Sequence, residues 1–231
     1  ESAGARLIAG VDIDYSPGFR DEWRLETQRE GRIFTSYNRA DLLYDYDVTF
    51  HEVSPYAQLE VSPAPGLRLV GGLRYDWMGF DYDTHLDPVD TGRHRRPADT
   101  SVNYGHLSPK LGATYELSDE INLFANYGHG FRVPSEGQLF RQGQALNTVD
   151  LEPVKVDSYE AGVRGLIAGR VNYDVSVYHM TKHDDILSFT RPDGSTETVN
   201  AGETLHAGVE VGLGADLLPG LRADFAYSRA K

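Results

Sequence analysis

The chain has 231 residues, with 35 acidic against 22 basic side chains, a net charge of -13, 24 glycines, 14 tyrosines and no cysteine. The missing cysteine excludes disulfides and thiolate metal sites, and the acidic balance argues against nucleic acid as a partner, which needs clustered Lys and Arg. No run of about 18 apolar residues occurs; that excludes a membrane-crossing helix but not a transmembrane barrel, whose apolar residues are diluted by alternation with polar ones.

Period-two alternation begins at once. Leu7, Ala9, Val11, Ile13 and Tyr15 oppose Ile8, Gly10, Asp12 and Asp14, the pattern of a strand with one apolar face. A polar stretch follows, in which Tyr44 and Tyr46 stand among Asp41, Asp45 and Asp47; it reads as a long loop. Tyr56 to Val61 is the next strand, closed by the tight turn Pro63-Ala64-Pro65-Gly66. Leu67, Leu69, Gly71, Leu73, Tyr75 and Trp77 then share one face against Arg68, Val70, Gly72, Arg74 and Asp76. From about Met78 to Tyr104 the chain reads as a second long loop. It holds Phe80, Tyr82 and the basic run Arg93-His94-Arg95-Arg96.

Leu111 to Tyr115 alternates again, turns tightly at Ser118-Asp119-Glu120, and resumes over Leu123 to Arg132 with Phe124 out of place on the polar face. A third long connection, about Val133 to Val156, carries Phe140 and Arg141. Tyr159 to Arg164, the turn Ala168-Gly169-Arg170 and Val171 to Tyr178 follow. A fourth long connection spans about Thr181 to Thr204, then Val209 to Asp216, the turn Leu218-Pro219-Gly220 and a last alternating segment. The count is about nine strands, with no convincing helix.

Short turns at one end and long loops at the other is the arrangement of bacterial outer-membrane barrels. The expected fold is therefore all-β: a partial, antiparallel transmembrane β-barrel over residues 1–231, with short periplasmic turns and long extracellular loops. A strand crossing hydrocarbon shows lipid its apolar side, so the polar side is the lumen. Glycines on that side, Gly72, Gly112, Gly128, Gly130, Gly162 and Gly212, either leave room for something packed inside or ease twist and bulges. An odd strand count, and ends that fall within alternating segments, read as a piece of a longer protein.

Local stretches resemble the TonB-dependent outer-membrane receptors, in the later half of their barrel. Phe131, Arg132 and Pro134 resemble the family's Phe-Arg-x-Pro box. Leu151 and Pro153, followed by Tyr159, Glu160 and Gly162, resemble the box and strand after it, with Val154 where Glu is usual. Asn200, Gly202, Gly208, Val209 and Glu210 resemble its Asn-x-Gly…Gly-Val-Glu strand. The resemblance implies a 22-stranded barrel with an N-terminal plug, neither the plug nor the terminal strands being in this chain. It implies a receptor in the bacterial outer membrane, in contact with its lipid and lipopolysaccharide. It also implies uptake of a scarce ligand, most often a ferric siderophore or similar metal chelate. The TonB-ExbB-ExbD complex would supply energy through an N-terminal region this chain lacks. Haem receptors of the family usually place a histidine between the two boxes, and residues 133–156 hold none.

The expected ligand contacts are in the loops and upper lumen: Tyr44, Tyr46, Phe80 and Tyr82, whose rings either stack on aryl ligands or pack the loops together, with Phe140, and Arg93, Arg95, Arg132 and Arg141 as cationic groups. Phe131 is expected to face outward at the rim and Arg132 inward. No catalytic residue, metal ligand or cofactor is expected. His183-Asp184-Asp185 reads as a solvated loop start, and only an outer-membrane hydrolase would use it as a general-base pair. A passive porin or adhesin is the remaining alternative.

Overall fold

A computed structural model of the protein describes residues 4–145, 148–192 and 196–231. Its strands are β1 (Ala5–Glu30), β2 (Ile33–Ala64), β3 (Leu67–Thr84), β4 (Thr100–Ser118), β5 (Ile121–Arg132), β6 (Val154–Ile167), β7 (Val171–His183), β8 (Ile186–Thr190), β9 (Thr196–Asn200), β10 (Glu203–Leu218) and β11 (Leu221–Ala230). One short helix, α1 (Glu136–Phe140), and a 3-10 turn (Thr148–Asp150) lie between β5 and β6. Nine strands form one sheet in the order β1-β2-β3-β4-β5-β6-β7-β10-β11, every neighbour antiparallel. These are the nine expected from alternation. β8 and β9 form a separate two-stranded ribbon in the connection between β7 and β10.

The register aligns the two faces. Ala113, Ala125 and Ala161 lie abreast across β4, β5 and β6, and Tyr127 pairs with Tyr159 beside them. Leu7, Ile13, Leu111, Val177 and Phe225 stand exposed on the apolar face. In water that exposure would cost burial energy; against hydrocarbon it costs none. From Leu67 at its turn to Trp77, β3 climbs ten residues, which at ~3.4 Å each and ~40° tilt is about 26 Å, the height of an outer-membrane apolar band.

The polar face is braced. Arg74 bonds Asp12 on β1, Glu52 on β2 at 2.7 Å and Asp76 on β3 at 2.5 Å, joining three strands through one guanidinium. Phe124, out of place in the alternation, pairs with Gly162 and lays its ring where a Cβ on that glycine would sit, 2.6 Å away. Tyr56 covers Gly10 and Tyr178 covers Gly208 in the same way. These glycines make room for a cross-strand aromatic of the sheet itself. Gly128 and Gly130, in contrast, face open space.

Two expectations need correction. Tyr44 and Tyr46 lie in β2, and Phe80 and Tyr82 in β3, not in loops. β1 and β2 remain paired far above the apolar band, to a two-residue tip at Gly31-Arg32, with Gly31 at φ +65°. Above the membrane both faces meet water, so the sequence loses its alternation while the ladder continues. Secondly, residues 136–140 form a helix. Ser135 caps it in a reciprocal box with Gln138, too short a signal for 3.6-residue periodicity to register.

Candidate ligand site at the outer mouth

The buried core sits at one end of the sheet, where the long connections fold back over the polar face. After β5, Pro134 has no amide hydrogen to continue the ladder, and the chain turns inward through α1. Leu139 and Phe140, at the end of α1, are fully buried. The Phe140 ring stacks on Tyr82 with centroids 4.4 Å apart and meets Phe80 edge-on at 6.2 Å; Tyr82 lies 4.9 Å from Tyr46. Thr148 donates to the Leu139 carbonyl at 2.6 Å, and the Tyr104 hydroxyl donates to the Leu151 carbonyl at 3.1 Å. The connection after β5 is thus stitched down at both ends.

The connection between β3 and β4 locks onto it. Arg95 N donates to the Gly143 carbonyl at 2.9 Å, and Gly143 N donates to the Tyr44 hydroxyl at 3.2 Å. Arg96 reaches the Leu43 carbonyl at 3.1 Å and the Asp87 carbonyl at 2.7 Å. Beside this junction Arg95 Nε and Nη1 and Arg141 Nε are buried without hydrogen-bond partners. Arg141 Nη1 lies 3.4 Å from Glu22, and Tyr46 donates to Glu136. Buried guanidinium donors with no acceptor are costly, and the groups that satisfy such donors best are anionic oxygens.

Burial pushes the Tyr44 and Tyr82 phenols above their ordinary value. Both stay neutral at physiological pH and offer hydroxyls, not phenolates. Burial also raises the Glu136 carboxyl, against the opposing field of Arg141.

Of the residues expected from sequence, Tyr44, Tyr46, Phe80, Tyr82 and Phe140 come together in one packed cluster, with Arg95 and Arg141 at its edge. Arg93 is exposed, and Arg132 is exposed with Nη1 3.5 Å from Gln138 Oε1. Phe131 does not face outward: it packs against the cluster and stacks on His106 at 4.3 Å, because the chain curls inward immediately after it. Pro134 is buried, and Leu151 lies within the cluster. Asn200 accepts from Glu152 N and donates to the carbonyls of Glu152 and Asp184, all at 2.8 Å, tying the third connection to the fourth. Glu160 faces Asn126 at 3.5 Å, Gly162 and Gly208 lie under aromatics, and Gly202 has φ +78°. Pro153 is half-buried, and Glu210, exposed, pairs with Ser176 and Ser228.

The ring nitrogens of His183 face Glu203 at 3.1 Å and Asp157 at 3.8 Å; Asp184 pairs with Lys155, and Asp185 with Lys182. Sequence reasoning missed Tyr104 and Gly143. Neither carries a local signal, since each acts through a partner at least 47 residues away.

An antiparallel sheet with tight turns at one end, folded connections at the other, an apolar outer face and a braced polar inner face is a section of a transmembrane β-barrel. The chain belongs to the family described as TonB dependent receptor-like, beta-barrel, which matches residues 3–231. It is 24% identical over 191 residues to the ferric-pyoverdine M114 receptor PbuA of Pseudomonas sp. (strain M114), covering 80% of this chain and 22% of that protein. It is 25% identical over 218 residues to the rhizobactin receptor of Rhizobium meliloti (strain 1021), covering 82% and 29%. Among solved structures, the copper transporter OprC superposes with a TM-score of 0.74 at 22% identity, covering 98% of this chain and 34% of that one. The ferric-catecholate import receptor Fiu of E. coli K12, in its closed form, superposes with 0.71 at 17% identity, covering 99% and 35%. The chain thus spans between a fifth and a third of the length of these curated relatives.

Proposed function

We propose that the chain is the partial barrel domain of an outer-membrane active-transport receptor whose ligand is a ferric siderophore or similar metal chelate. A plug outside this chain would close the barrel, and TonB-ExbB-ExbD would energise it. The protein would capture and import without catalysis. The observation that carries this reading is the outer mouth, where two connections lock together beside the buried, unpartnered donors of Arg95 and Arg141. Ferric chelates of hydroxamate or catecholate type present anionic oxygens that accept from such donors. Arg93 and Arg132, exposed nearby, would steer the anion in, and Tyr44, Tyr46, Phe80, Tyr82 and Phe140 would form the packed floor beneath it. The receptors of ferric-pyoverdine and rhizobactin, similar along most of this chain, support the ligand class.

The test uses the full-length receptor in detergent and a panel of ferric siderophores, read by quenching of intrinsic fluorescence. One chelate should quench saturably, and the R95A/R141A double variant should weaken it at least tenfold. Absence of saturable quenching by every chelate would sink the proposal. In cells, uptake should stop when the proton-motive force is collapsed; uptake that continues would favour a passive porin.

A further inference from the structure

The hydrogen-bonded ladder between β4 and β5 ends at Lys110–Gly128. Both strands continue upward, β4 still paired with β3 to Thr100 and β5 still paired with β6 to Arg132. The sheet therefore parts along one seam at its outer end. Two imidazoles face each other across that seam: His106 Nε2 on β4 lies 2.8 Å from His129 Nε2 on β5. Their ring planes lie within 21° of each other with centroids 4.9 Å apart, so the two Nε2 tips meet, and the Phe131 ring stacks on His106 at 4.3 Å.

The far side of His129 is fixed as well. His129 Nδ1 lies 2.8 Å from Asp157 Oδ1, and that oxygen also accepts from the Tyr127 hydroxyl at 2.9 Å. With its Nδ1 proton given to the carboxylate, His129 turns an unprotonated Nε2 toward His106. A carboxylate that sets the tautomer of a histidine from behind is the outer-shell arrangement of metal-ligating imidazoles.

The geometry points to a divalent transition-metal site bridging β4 and β5, with His106 Nε2 and His129 Nε2 as ligands and Asp157 as the positioning residue. Metal–imidazole bonds of ~2.1 Å at a tetrahedral or square angle hold two nitrogens about 3.0–3.4 Å apart, so the rings need to separate by only a few tenths of an ångström. His106, whose proton lies on Nε2 in this pair, would carry it on Nδ1 once Nε2 binds the ion, staying a neutral imidazole. Two imidazoles suit Cu2+, Ni2+ or Zn2+ and not Mg2+ or Ca2+, which take oxygen ligands. Among the described residues no three His, Cys, Asp or Glu side chains converge on one metal position. The described residues thus supply two ligands, and water or the donor of a chelate supplies the others. The bound ion would staple this parted seam of the outer sheet, and this proposal stands apart from the identity of the transported ligand.

The probe is Cu2+ added at one equivalent to the metal-free, detergent-solubilised full-length receptor and read by electron paramagnetic resonance. We expect one bound ion with hyperfine splitting from two imidazole nitrogens. His106→Gln and His129→Gln should each remove that two-nitrogen pattern, and Asp157→Asn should weaken Cu2+ about 10–100-fold. His179→Gln, on the apolar face of β7, should change nothing. Failure of the wild-type receptor to hold Cu2+ through a desalting column would overturn the proposal, with no variant needed. A two-nitrogen signal that survives in both His106→Gln and His129→Gln would overturn the assignment.

Discussion

At the scale of single residues, the outer mouth depends on a few side chains whose environment sets their chemistry. Glu136 is half-buried against Tyr46, and burial lifts its carboxyl above the ordinary 4.5. The folded state therefore holds this proton more tightly than the unfolded one. Its contribution to docking of residues 133–145 is fully present below pH 4.5 and is lost as pH rises through the raised value. Hydrogen exchange in α1 should accelerate as pH climbs above 4.5, after correction for intrinsic rates, and Glu136→Gln should flatten that dependence. A second residue-scale test concerns the aromatic that broke the alternation. A methyl group on Gly162 would stand 2.5 Å from the Val175 carbonyl and 2.6 Å from the Phe124 ring. Gly162→Ala should cost about 1–3 kcal/mol in urea unfolding, the range of overpacked sites. Gly128→Ala, facing open space, should stay near wild type.

At the scale of elements, the short helix α1 has five residues, far below what is stable alone, so its cap and its buried face hold it in place. Leu139 and Phe140 supply that face, Phe140 through Tyr82 and Phe80. Phe140→Ala should remove about 3–5 kcal/mol of packing. The loss should appear as new protease cleavage within residues 133–145, while heat-modifiable gel mobility, which reports the barrel, stays unchanged. Cleavage no faster than wild type would show that α1 is held by something other than its aromatic contact. The helix was illegible in sequence because one turn carries no periodicity. The extension of β1 and β2 was illegible for a different reason: most of Ser16 to Arg39 meets water on both faces, so nothing selects alternation. The membrane-height parts of the same strands were legible, since lipid outside and polar lumen inside impose opposite preferences on successive residues.

At the scale of the whole molecule, strand order and register bring together residues that no motif joins. Arg74 binds carboxylates from three strands, and Asp76 among them is buried. Truncating it leaves Asp12, Glu52 and Asp76 facing one another without a counter-charge. Arg74→Ala should cost about 2–3 kcal/mol, below a fully buried pair because Arg74 is partly solvated. Arg74→Lys should recover only part of this, because an ammonium lacks the guanidinium's planar fork for three acceptors. Unfolding into urea from lipid vesicles would measure both.

The amino-acid sequence by itself determined the nine crossing segments, their two faces, the tight turns at one end and the family boxes, because each is written in residues adjacent in the chain. Only the tertiary structure decided which partners those residues meet. It set Phe124 on Gly162, turned Phe131 inward, buried Phe140 against Tyr82, and faced His106 to His129 across a parted seam. The physical reason is that alternation reports the solvent on each side of a strand, whereas a site at the mouth is assembled by register between strands and by connections folding back over them, and neither leaves a periodic trace in the chain.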